Sequence, residues 1–188
     1  MNLNLEKYIL KIEKFIDKNL CNKIVNKLKS CEWKKHTFYN SKTNEYNSIS
    51  GDEELQYTEE TTKYNEIVIK KLWYAIEKYI NMLDFPWYPG WNGYTGLKFN
   101  RYCINNRMEN HCDHIHSIFP QQPSGIPILS MVGSLNDDYS GGEFIMFNEK
   151  EIKLKRGDLI IFPSNFLYPH KVNLVKKGTR YSYVSWVY

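Results

Sequence analysis

The half of the chain after Gly93 constrains the fold most, because it carries short β-rich runs with no helical period between them. The runs are 97–103, 128–135, 143–147, 151–154, 159–162 and 179–188. Asp137-Asp138, Gly141-Gly142 and Gly157-Asp158 punctuate them as turns. Many short strands separated by turns predict a sandwich or barrel. The first half reads differently. Within 64–83, Ile69, Leu72, Trp73, Ile76, Tyr79, Ile80 and Leu83 recur at helical spacing and predict an amphipathic helix with one apolar face. Asp17 is a candidate cap for an earlier helix through Cys21, Ile24, Val25 and Leu28. Residues 8–16 read as a strand or the start of a helix, and Pro86, Pro89 and Gly90 break the chain. Helices first and strands later fit helices packed outside a β core.

A length of 188 residues suits one domain with a single buried core. Hydrophobic residues at 42% and aromatics at 15% place the chain among globular proteins and exclude a disordered one. The net charge of +4 comes from scattered lysines, which leaves no footprint for nucleic acid. No run approaches the ~20 apolar residues of a membrane span, and the first residues lack a secretory pattern. Cys21, Cys31, Cys103 and Cys112 form no CxxC pair, so the expected setting is cytoplasmic with reduced thiols. Residues 40–62 read as a polar, turn-rich loop, either a lid or an insertion. Residues 115–127 either line an entrance or connect two strands.

The chemistry-bearing residues lie in the second half: His111-Cys112-Asp113, then His170, then Arg180. A strand period of two puts His111 and Asp113 on the same side of an extended segment. Two imidazoles and one carboxylate can occupy one face of an iron(II) ion and leave its other positions open. By itself H-x-D also reads as a turn with a capping carboxylate, and His114-Ile115-His116 offers a competing pair on the opposite face. Residues 157–163 followed by His170 read as a turn, a buried strand, a break and a polar residue, with a surface histidine as the alternative. In the last run, alternation puts Arg180, Ser182, Val184 and Trp186 on one face and Tyr181, Tyr183, Ser185 and Val187 on the other. An inward arginine beside a tryptophan would clamp a carboxylate through its planar fork, whereas an outward one would simply be solvated.

Together these residues resemble the iron(II)- and 2-oxoglutarate-dependent oxygenases, in their prolyl-4-hydroxylase-like branch, over 97–188. Tyr102-Cys-Ile-Asn105 … His111-Cys-Asp113 is similar to that family's Tyr-x-x-Gly … His-x-Asp, with Asn105 where Gly is usual. Leu135-Asn136 … Gly141-Gly142-Glu143-Phe144 looks like its Leu-Asn … Gly-Gly-Glu-Leu hairpin, and Gly157 … Pro163 … His170 … Arg180 … Trp186 like its closing segment. Arg180 stands where many members have Lys.

The resemblance implies a mainly β, α+β fold: a double-stranded β-helix, or jelly roll, braced by N-terminal helices. It implies one oxygenase domain over 1–188, with 1–93 as support and candidate lid and 94–188 as the core. His111, Asp113 and His170 would ligate Fe(II). Arg180 would bind the distal carboxylate of 2-oxoglutarate, Tyr102 would add a hydrogen bond, and Trp186 would border the substrate pocket. Dioxygen would be the oxidant and ascorbate a candidate reductant, with succinate and carbon dioxide released. The expected substrate is a prolyl residue in a peptide or protein, with no membrane partner. A free amino acid, a small molecule or a nucleic acid is the alternative substrate of the same chemistry. Trp186 argues against nucleic acid, because dealkylating relatives carry a second arginine six positions after the first. A non-enzymatic cupin-like domain using His114 and His116 is the remaining alternative, and it lacks the glutamate expected shortly after His116.

Overall fold

Asp17 starts the first helix as its sequence suggests: its carboxylate accepts the Leu20 amide at 2.8 Å. The computed structural model describes residues 4–40, 45–47, 53–60, 63–85, 93–114 and 126–188. After a single 3-10 turn (Leu5–Tyr8) come β1 (Leu10–Ile12), α1 (Lys18–Leu28), β2 (Lys34–Lys35), β3 (Phe38–Asn40), β4 (Glu45–Asn47), β5 (Gln56–Thr58) and α2 (Asn65–Leu83). The second half holds β6 (Lys98–Tyr102), β7 (Met108–His111), β8 (Leu129–Ser134), β9 (Ser140–Gly141), β10 (Phe144–Met146) and β11 (Lys150–Glu151). It ends with β12 (Leu159–Pro163), β13 (His170–Val172), β14 (Val175–Lys177) and β15 (Arg180–Val187). The Pro86, Pro89 and Gly90 break lies outside the described residues, as do 115–125 of the expected entrance loop.

Two antiparallel sheets make the double-stranded β-helix, and β9 with β14 and β3 with β4 form two small two-stranded sheets beside them. The larger of the main pair is ordered β1-β12-β8-β15-β6-β5-β2 and the smaller β11-β10-β13-β7. Hydrophobic residues separate by strand alternation. Phe99, Met131, Leu159, Ile161, Tyr181, Tyr183 and Val187 face the helices in one core. Tyr102, Val132, Ile160, Phe162, Phe144, Met146 and Val172 fill the space between the sheets. Gly133 makes the first packing possible, since a Cβ there would lie 2.0 Å from Cζ of Tyr183.

Two expectations need correction. The 40–62 stretch is not all loop: β3 pairs antiparallel with β4, and β5 pairs with β6 inside the large sheet. Polar two- and three-residue strands carry no readable alternation. Trp73 is 47% exposed, and the buried face of α2 centres on Val68, Leu72, Ala75, Ile76 and Tyr79. One helical step from Leu72 turns Trp73 about 100° toward the flank, where its ring lies 6.4 Å from that of Tyr94.

Candidate active site

His111 ends β7, Asp113 follows it, and His170 opens β13 directly across the ladder, so pairing His170 with His111 brings distant chain segments together. One ligand atom from each of His111, Asp113 and His170 lies within 4.8 Å of the others. His111 Nε2 is 3.5 Å from Asp113 Oδ1, and His170 Nε2 is 3.9 Å from Asp113 Oδ2. Each imidazole is oriented from behind. His111 Nδ1 meets the Glu109 carbonyl at 2.7 Å and His170 Nδ1 meets the Tyr168 carbonyl at 3.1 Å. A carbonyl only accepts, so each Nδ1 carries a proton and Nε2 is the nitrogen turned toward the carboxylate. Phe144 stacks on His170 with ring centroids 5.4 Å apart, and Phe162 approaches it edge-on at 5.0 Å.

Asp113 is fixed by partners that sequence reading missed. Ser130 donates to its Oδ2 at 2.6 Å, and Ser164 sits 2.7 Å from Ser130. The available signal was a small polar pair, Ser130 and Ser134, on the inner face of an otherwise apolar strand. Burial favours protonated Asp113, but His170, His111 and the Ser130 hydrogen bond outweigh it and hold the carboxyl well below its usual range. Burial and the neighbouring His111 push His170 down to about 4. Burial also pulls His111 downward, yet its contacts with Asp113 prevail and raise it. The metal-free site therefore resembles an ionised carboxylate facing one easily protonated and one reluctant imidazole.

Arg180 begins β15 opposite Tyr102 of β6, and it is 1% exposed. Its guanidinium lies 4.8 Å from the Tyr102 ring centroid and donates to Ser182 Oγ at 3.1 Å. Its buried Nε has no partner, and among the described residues no carboxylate comes within 4.0 Å. Arg180 also lines, with Phe144, Gly142, Tyr139 and Leu154, a cavity of about 190 Å³. Tyr102 is buried, and burial pushes its phenol up to about 12 despite the opposing arginine. The face predicted for the last strand holds: Tyr181, Tyr183 and Val187 join the helix-side core, while Val184 packs between the sheets. Trp186 is half-buried in register with Ser130, beside the tether of Asp113.

Asn105 adopts φ 68°, the left-handed conformation that glycine would supply. His114 is exposed and stands outside the convergent triad, and His116 lies outside the described residues. The four cysteines are free. No described helix is long and apolar enough to cross a membrane.

Residues 97–188 match the model of the 2OG-Fe(II) oxygenase superfamily. A PKHD-type hydroxylase of Delftia acidovorans is 36% identical over 99 residues, covering 48% of this chain and 42% of that protein. Another from Prochlorococcus marinus is 31% identical over 135 residues, 69% of this chain and 55% of that protein. The chain thus spans about half the length of these curated relatives. In three dimensions it is similar to a viral collagen prolyl hydroxylase from Paramecium Bursaria Chlorella virus-1, solved as a 2OG complex. That likeness has TM-score 0.65 at 17% identity and covers 96% of this chain and 94% of that one. It is also similar to a prolyl hydroxylase from Trichoplax adhaerens, solved with a hypoxia inducible factor peptide fragment. There the TM-score is 0.69 at 16% identity, over 97% and 84% of the two chains.

Proposed function

Because residues 97–188 belong to the 2OG-Fe(II) oxygenase superfamily, we propose that this chain hydroxylates a prolyl residue of a peptide or protein. The family and the triad imply Fe(II) and 2-oxoglutarate as cofactors. His111, Asp113 and His170 would hold the metal. They fit it chemically, offering two imidazoles whose Nδ1 atoms face backbone carbonyls and whose Nε2 atoms turn toward one carboxylate kept ionised. When bound, iron and 2-oxoglutarate supply the oxidising chemistry, consuming dioxygen, releasing succinate and carbon dioxide and inserting one oxygen atom into a C–H bond.

The observation that carries the keto-acid assignment is Arg180. A guanidinium buried without a counter-ion is costly unless an anion completes the site. Arg180 would take the distal carboxylate through its planar fork. Tyr102 stays protonated through the neutral range and would remain a hydrogen-bond donor beside it. Phe144 and Phe162, packed against His170, line the site with apolar surface and would exclude water from the reacting centre. Trp186 would border the substrate.

The prolyl assignment rests on likeness to proteins named as prolyl hydroxylases, one of them with a bound peptide. In the same reading 1–188 works as one oxygenase unit. It operates in the cytoplasm with ascorbate as reductant. Iron-loaded protein with 2-oxoglutarate and a library of proline-containing peptides should release succinate in step with a one-oxygen mass gain on proline. Oxygen gain confined to free amino acids or nucleotides would defeat the prolyl reading.

A further inference from the structure

Lys98 is a second cation without a counter-ion among the described residues, on the same wall as Arg180. Alternation along β6 turns Phe99 into the helix-side core, and Arg101 stacks 4.4 Å from the Trp33 ring centroid. Lys98, Asn100 and Tyr102 therefore face the space between the sheets. Register sets Lys98 opposite Val184 and Tyr102 opposite Arg180. Beyond Val184 on β15 comes Trp186, paired with Ser130, the residue that tethers Asp113. Lys98 thus stands toward the metal-ligand end of the wall, roughly 13 Å along the strand from Tyr102.

The ammonium is held there. Nζ lies 4.2 Å from the centroid of the Tyr57 ring, and the residue is half-buried. Among the described residues no carboxylate comes within 4.0 Å of it. Glu59 and Asp113 are the acidic groups whose charge it feels. Asp113 is not free to serve as its partner, since its oxygens are engaged by Ser130, His111 and His170. A lysine that simply snorkelled to water would need no partner. One fixed over an aromatic ring on the inner wall loses part of its hydration and regains it only through an anion.

We propose that Lys98 is a specificity residue that pairs with a carboxylate of the substrate, so that the enzyme prefers a prolyl residue bearing or adjoining an acid group. This rests on the reading above, in which Arg180 and the metal account for both carboxylates of the keto acid. Two sources of the substrate carboxylate share this chemistry: an acidic side chain next to the target proline, and the α-carboxylate of a terminal or free proline. Tyr57 beneath the ammonium and Trp186 across the strand supply an apolar border for the ring.

The test uses matched peptides that differ only in the acid: glutamate against glutamine beside the proline, and a C-terminal proline acid against its amide. Binding is read by fluorescence anisotropy on Mn(II)-loaded protein with 2-oxoglutarate, and turnover by succinate release. At least one acidic member should bind about tenfold more tightly than its neutral partner, and the pair that shows this identifies the source. Lys98→Met should erase the difference, leaving the KM for 2-oxoglutarate and the thermal midpoint unchanged, and Lys98→Arg should restore it. Indistinguishable acid and neutral members, binding by neither, or a preference that survives in Lys98→Met overturns the inference. So does a Lys98→Met defect confined to 2-oxoglutarate. Oxidation of peptides without acid preference sinks the Lys98 role alone; oxidation of no peptide sinks the prolyl reading.

Discussion

The triad, Tyr102 and Arg180 were legible in the sequence because each stands at a fixed offset within an ordered motif. Ser130 and Lys98 were not, because their meaning depends on which strand faces them. Ser130 matters through Asp113, seventeen positions earlier, and Lys98 through Tyr57 on a strand too short to read. Arg180 yields the sharpest prediction at this scale. Its guanidinium is buried with no counter-ion among the described residues, so in the proposed role it costs stability in the free protein and would be repaid by the ligand. Arg180→Met should weaken 2-oxoglutarate binding by at least about thirtyfold, corresponding to roughly 2 kcal/mol or more for a lost buried charge pair. The thermal midpoint of the metal-loaded variant without keto acid should stay level or rise. Calorimetric titration with 2-oxoglutarate on Mn(II)-loaded protein checks the first part and a melting curve the second. Unchanged affinity would remove Arg180 from the site.

At the level of elements, the helices were readable because a cap and a 3.6-residue period survive in the sequence, as at Asp17 and along α2. Short strands leave no such trace: β13, which carries His170, has three residues. The Leu135-Asn136 motif shows what a pattern match leaves out. Asn136 is buried, its Nδ2 donates to the Thr179 carbonyl at 2.7 Å, and its Oδ1 accepts the Tyr181 amide at 2.7 Å. The carboxamide thereby grips the backbone on both sides of Arg180 and sets where β15 begins. Asn136→Ala would leave a buried N–H and a buried C=O unsatisfied, a cost of about 2–4 kcal/mol. We expect a lower denaturation midpoint and, although Asn136 is not proposed to touch the keto acid, severalfold weaker 2-oxoglutarate binding. Lost stability with intact affinity would mean that Arg180 is placed by the sheet alone.

At the scale of the molecule, the division into a supporting first half and a catalytic second half understates how they interlock. β1, β2 and β5 belong to the same sheet as β6, β8, β12 and β15. The helices cover Phe99, Met131, Ile161 and Tyr183, each fully buried. A fragment of 94–188 should therefore lack a cooperative unfolding transition, and a dispersed amide spectrum from it would contradict this.

The intact metal-free chain should also carry a pH signature of its site. His170 titrates at about 4 in the fold, against 6.5 ordinarily. Between those values the unfolded chain holds a proton that the folded chain does not, so stability rises with pH and is lost as pH falls through the window. Asp113, held low, adds to the loss at the acidic end; His111, raised, opposes it by favouring the fold at lower pH. Replacing His170 with Phe, between Phe144 and Phe162, removes the first contribution and with it the hold of His170 on Asp113, both of which cost stability as pH falls. Unfolding free energies from urea titrations in chelator should fall less between pH 7.5 and 4.5 for His170→Phe than for the natural chain, by up to about 3 kcal/mol. Equal losses in the two proteins would mean that His170 titrates normally and that the pocket around it is wet.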